Sequence, residues 1–235
     1  MNSAKVPTLS LPASFDGVFF TTLRLHDALP ENFGQNLGIQ YYSKQVEYAK
    51  NPDRLDQLHL VRKRLFARFD QALDLEKYGH AYLRAPALAQ IVADEICRSD
   101  DRNYTLLAYA ILPNHVHLLF DLRTRFTEDE PLDELQMNRF QPLREMLERI
   151  QNATEAPLKK TLRRLGGHLD SNIFQKRLSN GAVKMEGKCW HEQSFDFRVR
   201  DATEFEKVTQ YILQNPIKAA LVKDFEAWPF LYRKA

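Results

Sequence analysis

The stretch from Tyr109 to Phe120, reading YAILPNHVHLLF, constrains this chain more than any other. Two apolar runs, Tyr104 to Leu112 and His115 to Leu122, flank Pro113-Asn114, and a turn dipeptide between apolar runs predicts an antiparallel hairpin. Side chains alternate between the faces of a strand, so His115 and His117 share one face while Val116 and Leu118 share the other. Two imidazoles on one face of a rigid strand can grip a metal ion and leave most of its coordination sphere open, as a catalytic ion requires. A pair of histidines simply packed or hydrogen-bonded at a sheet surface fits the same spacing.

Other segments supply the partners such a hairpin needs. The run Gly17 to Leu25 is rich in β-branched and aromatic residues and predicts a first strand. Residues 31–52 carry Gly34, Gly38 and Pro52 beside Tyr41-Tyr42, and read as an irregular excursion or a weak strand. Apolar residues recur at helical intervals from Leu55 to Leu73, predicting a long amphipathic helix from Asp53 to about Leu75. A second helix starts at Pro86 and runs to about Cys97. Leu143 to Ile150 predict a third, and Pro157 to Leu165 a short, separate basic one stopped at Gly166-Gly167. Residues 166–189 read as a loop or hairpin insertion. A last helix begins at Asp201, a capping carboxylate, with Glu204 near the positive end of the macrodipole. At about 100° per residue, Tyr211 and Asn215 stack on one flank of that helix, which Pro216 is expected to end. A boundary tyrosine and a helix-ending asparagine would give the same pattern.

Charge is unevenly placed. Residues 157–190 hold eight Lys or Arg against Asp170 and Glu186, whereas the rest of the chain has 25 basic against 29 acidic residues. A basic block on an otherwise acidic chain is expected where one face meets a polyanion, and Lys159, Lys160, Arg163, Arg164, Lys176 and Arg177 are its candidate DNA contacts, with Trp190 and Phe195 as stacking rings. A solvated basic helix is the plainer alternative. Cys97 and Cys189 fit no zinc or redox spacing, and no run reaches membrane-spanning length, so a cytoplasmic protein without membrane association is expected.

Two segments together, LPNHVHLL over 112–119 and the ending Trp190 to Arg200, YILQNPIKAALV over 211–222 and Trp228-Pro229, resemble the REP-associated tyrosine transposases. These are relatives of the bacterial insertion-sequence transposases with one catalytic tyrosine and a histidine-hydrophobic-histidine (HUH) motif. The resemblance runs from about Gly17 to Pro229. It implies an α+β fold of the HUH endonuclease type, with a ferredoxin-like core whose antiparallel sheet is backed by helices. The domain would span 17–235 after a tail at 1–16, with a basic insertion around 157–190. It also implies metal ligands His115, His117 and Asn215, a Tyr211 nucleophile, Mg²⁺ or Mn²⁺, and single-stranded DNA hairpins as substrate, handled by a monomer or homodimer. The implied activity is a metal-dependent single-strand endonuclease and strand transferase working through a 5′-phosphotyrosine. Two departures stand out: Asn172 to Lys188 is longer than the family pattern, and Ala219-Ala220 replaces Ala-Gly. A hydrolytic phosphodiesterase and a non-enzymatic binder of folded single strands are the competing readings.

Overall fold

Strand β1 (Val18–Arg24) is buried at every position, the result expected when a β-branched and aromatic run lies in the middle of a sheet covered on both faces. Four further strands, β2 (Thr105–Ile111), β3 (His115–Asp121), β4 (Phe195–Arg198) and β5 (Leu231–Arg233), join it in an antiparallel sheet of order β4-β1-β3-β2-β5. The computed structural model describes residues 17–123, 141–165 and 188–234. Helices α1 (Glu31–Glu47), α2 (Arg54–Asp74) and α3 (Pro86–Ser99) lie between β1 and β2, α4 (Gln141–Leu165) between β3 and β4, and α5 (Ala202–Lys218) after β4. A β-α-β-β-α-β path whose first four strands order as 4-1-3-2 is a ferredoxin-like core, so the chain is α+β with an antiparallel sheet backed by helices. Strand β5 widens that sheet beside β2.

The hairpin forms as the Pro-Asn signal predicts. Leu112 N–H donates to His115 O at 2.8 Å, and the register sets Ala110 opposite His117 and Ile111 opposite Val116. On its other side β3 pairs with β1, placing Thr22 opposite His117 and Arg24 opposite His115. Phe66 of α2 and Tyr211 of α5 both pack on Phe20 and His117. These two helices therefore cover the face that carries the histidines. Helices α3 and α4 pack on each other. Among the described residues, no helix is long and apolar enough to cross a membrane.

Three expectations need correction. Residues 31–47 are helical, not irregular or extended. Phe33, Leu37 and Tyr41, spaced by one turn, pack on the core, and that packing outweighs the roughly 1 kcal/mol helix cost of each of Gly34 and Gly38. The two helices expected over 143–150 and 157–165 are one, with Pro157 inside it. Ile150, Thr154, Leu158 and Leu162 form an unbroken buried stripe, while Pro157 sits on the exposed side, so burial carries the helix across a residue that removes one of its hydrogen bonds. Finally, α5 does not end at Pro216 but runs to Lys218, and Ala219 N–H still donates to Asn215 O at 2.9 Å. The insertion expected over 166–189 lies outside the described residues except at its last two positions, and Lys176 and Arg177 lie outside them altogether.

Candidate active site

The histidines are set by the strand and oriented by their neighbours. His115 and His117 are 1% and 0% exposed, and their Nε2 atoms face each other at 3.2 Å. Each ring is held by its other nitrogen: His117 Nδ1 lies 2.9 Å from Thr22 Oγ1, and His115 Nδ1 lies 2.7 Å from Asn114 Oδ1. Asn114 is itself fixed, its Nδ2 donating to Leu73 O at 3.0 Å. A carboxamide oxygen can only accept, so His115 carries its proton on Nδ1 and presents a lone pair at Nε2. Burial, together with the neighbouring His117, pushes the His115 imidazole down to about 3, which keeps that lone pair free at ordinary pH. Two imidazole lone pairs at this separation repel unless a proton or a cation lies between them.

A third group, which the sequence reading did not single out, faces the pair. Asp70 of α2 is buried, and its Oδ1 lies 3.2 Å from His117 Nε2. The ligand atoms of Asp70, His115 and His117 all lie within 4.8 Å of one another. Bonds of about 2.1 Å to an octahedral ion put adjacent ligand atoms roughly 3 Å apart, and both closest separations here match. Burial would raise the Asp70 carboxyl, but the His117 contact, the neighbouring imidazoles and the Tyr211 hydroxyl bring it down to about 2. It is therefore an anion facing the two histidine Nε2 atoms. One sequence signal does point to it: Phe66, Asp70 and Leu73 share the buried stripe of α2, and an acid among core positions asks for a partner.

Helix α5 brings the remaining groups. Asp201 caps it by accepting from Glu204 N–H at 2.8 Å. Glu204 then receives His59 Nε2 at 2.8 Å, Lys63 Nζ at 2.7 Å and the Arg200 N–H at 2.9 Å, which fastens the first turn of α5 to α2. Two turns on, the Tyr211 ring packs edge-on to His117 with centroids 5.4 Å apart. Asn215, one turn further, is fully buried, whereas Gln214 is exposed, as helical spacing predicts. The Tyr211 hydroxyl is buried with the Asp70 carboxylate and the Asn215 amide as its polar neighbours, and neither polar atom of the Asn215 side chain makes a hydrogen bond of good geometry among the described residues. Burial, with the Asp70 carboxylate beside it, pushes the Tyr211 phenol well above its ordinary value. Asp74, one turn after Asp70, is raised to about 6 by burial and by Asp70. Orphaned buried polar groups around a two-histidine, one-carboxylate cluster fit a divalent ion with positions left for substrate.

The basic candidates divide. Lys160, Arg163 and Arg164 are exposed on the last turns of α4, where they also complement the negative end of its dipole, while Lys159 is half-buried and pairs with Glu155 at 2.6 Å. Trp190, expected as a stacking ring, is a core residue: it is 2% exposed and its Nε1–H donates to Thr154 Oγ1 at 2.8 Å. No ring face is left for a base. Phe195 is partly buried against Phe66 and Phe69, at centroid separations of 5.5 and 5.3 Å.

No family model matches the chain, and no curated protein matches it. Among solved structures it is similar to one described as the REP associates tyrosine transposase bound to a REP hairpin. The identity is 16%, the match covers 92% of this chain and 75% of that one, and the TM-score is 0.40.

Proposed function

We propose that the chain is a metal-dependent single-strand DNA endonuclease and strand transferase in which Tyr211 attacks a backbone phosphate. The observation that carries this reading is the Tyr211 hydroxyl, buried beside His115, His117 and Asp70, with the buried Asn215 amide one turn away. His115, His117 and Asp70 hold the ion, and Asn215 offers its carboxamide oxygen as a further ligand or as a phosphate partner. Mg²⁺ or Mn²⁺ there would polarise the scissile phosphate and neutralise charge that develops during in-line displacement, with the mixed nitrogen and oxygen set favouring Mn²⁺ in affinity.

The protein groups do the rest. Helix α5 holds the phenol against His117, so a phosphate that reaches the cluster lies within reach of the phenol oxygen. Attack forms an O–P bond to Tyr211 and breaks the bond from phosphorus to the 3′ oxygen. The phenol gives up its proton and the departing 3′ oxygen gains one. The product is a 5′-phosphotyrosyl strand with a free 3′-hydroxyl, and because a phosphodiester replaces a phosphodiester, the 3′-hydroxyl of another end can reverse the step without ATP. Substrates are hairpin-forming single strands, the class that the transposase resemblance implies, and Lys160, Arg163 and Arg164 contact their backbone.

Hydrolysis by water is the second reading, since burial and the Asp70 carboxylate beside it raise the cost of ionising the phenol. The test is Mn²⁺ binding by calorimetry, paired with cutting of single strands from the repeats flanking the gene. The wild type should bind one ion and cut, and both His115→Ala and Asp70→Asn should weaken ion binding by about tenfold or more. Cutting by His115→Ala should recover as Mn²⁺ is raised. Unchanged ion affinity in both variants would remove the metal centre from the reading.

A further inference from the structure

Beside the metal centre lies a cavity of about 390 Å³ enclosed by α1, α2, α4 and the start of β4, within the roughly 300–1,000 Å³ typical of small-ligand sites. Gly34 and Gly38, one turn apart on α1, line it and leave it open on that side. A Cβ at Gly38 would meet nothing within 4 Å, and one at Gly34 would meet only Gln193 Oε1, at 3.6 Å. Aromatic walls come from Tyr41, Phe69 and Phe195, and the Arg62 guanidinium lies 5.4 Å from the Tyr41 ring and 5.9 Å from the Phe195 ring. Arg24 also lines the cavity. It is 2% exposed, the largest fully buried side chain among the described residues, where its guanidinium donates a long hydrogen bond from Nη1 to His26 O at 3.3 Å and feels the charge of Asp27.

The acidic groups around the cavity are already engaged. Glu148 pairs with Arg144 at 3.6 Å, Glu192 with Lys188, Asp27, whose charge acts on Arg24, with His80, and the Asp196 carboxylate takes hydrogen bonds from the Thr21 and Ser194 hydroxyls. A buried guanidinium with spare donors is an anion site, and phosphate matches its fork geometry. Position links this cavity to the cluster. Arg24 sits opposite His115 across the β1–β3 ladder and two residues beyond Thr22, about 7 Å along the strand. On α2, Phe69 faces the cavity and its neighbour Asp70 faces the metal centre.

We infer that this cavity takes one unstacked nucleotide of the DNA strand, its base against Tyr41 and Phe195 and its phosphate on Arg24, next to the nucleotide whose phosphate is cut. The inference rests on the DNA-processing reading above for the identity of the strand. Stacking on aromatic rings with a guanidinium nearby is how unpaired bases are held, and a base gripped beside the cut would set where the strand is opened.

The experiment is an NMR titration of the full chain in EDTA, so that neither metal nor cleavage contributes, with the four 2′-deoxynucleoside 5′-monophosphates. At least one should shift the Tyr41 and Phe195 ring resonances saturably. Removing its phosphate should weaken binding about tenfold, and Arg24→Gln should abolish that difference. Because Arg24 is buried and its variant can fail to fold, Gly38→Trp supplies an independent arm. It should fill the cavity and weaken binding about tenfold or more, while Gly38→Ala binds like wild type. A pentanucleotide of thymidines carrying the preferred base at its centre should bind more tightly than the same strand with an abasic centre. Absence of shifts from all four monophosphates, wild-type binding by Gly38→Trp, or equal binding of the abasic strand would each overturn the inference. None of these outcomes depends on covalent attachment to Tyr211, so failure here leaves the tyrosine chemistry standing, and the reverse also holds.

Discussion

Replacing Glu204 with Gln should loosen the helix that carries Tyr211 and Asn215, by an amount the structure specifies. Burial would raise this carboxyl, but hydrogen bonds from His59 and Lys63, with the Arg200 N–H, hold it down at about 2 from an ordinary 4.5. A depressed carboxyl stabilises the fold fully above its unfolded value, and that contribution is lost as pH falls toward the folded one. The shift corresponds to on the order of 3 kcal/mol at neutral pH. Glu204 is 6% exposed, so solvent screening removes little of it. Glu204→Gln keeps a side chain of the same shape and removes the charge, so the gap in unfolding free energy between wild type and variant should be about 3 kcal/mol at pH 7. It should close between about pH 4.5 and pH 2, where the wild-type carboxyl becomes neutral as well. Urea denaturation of both proteins across that range measures it. Asp70 titrates in the same direction but is present in both proteins, so it cancels in the difference. A gap that stays constant with pH, or that is absent at pH 7, would refute the proposed fastening of α5 to α2.

Ala220 sits just beyond α5 at φ +53°, in the left-handed region that glycine tolerates best, so Ala220→Gly should raise stability by about 1 kcal/mol in thermal or urea unfolding. Trp190→Ala should cost about 3–5 kcal/mol of stability as a core truncation, and single-strand affinity measured on the protein that remains folded should be unchanged. Changing Lys160, Arg163 and Arg164 together to Ala should reduce the slope of log affinity against log salt by about 2, at roughly 0.7 per single-strand phosphate contact; an unchanged slope would assign these residues to the helix dipole alone.

The hairpin was legible because Pro113-Asn114 and strand alternation are local signals, and they put both imidazoles on the correct face. Helix α2 and the Asp201 cap were legible for the same reason: periodicity and capping act within a few residues. What local patterns missed was decided by packing across the fold. Gly34 and Gly38 mask a helix whose buried residues lie one turn apart, and they line a cavity that forms only as α2, α4 and β4 approach α1. Pro157 and Pro216 look like stops until the buried stripes on either side are seen to continue. Trp190 looked like a ligand-binding ring because a sequence cannot show that Thr154 waits beneath it. Asp70 could have been noticed as an acid on an apolar stripe, but its meeting with His117 depends on how α2 lies across the sheet.

The most direct test of the central claim is mass spectrometry of the protein after incubation with a hairpin-forming single strand and Mn²⁺. The expected product is a covalent adduct in which the 5′ phosphate of the cut strand is joined to the peptide containing Tyr211. Tyr211→Phe, which removes one oxygen and keeps the ring packed on His117, should bind DNA normally and yield neither adduct nor cut strand. Cutting by Tyr211→Phe at a rate comparable to wild type, or an adduct mapped to another residue, would contradict that claim.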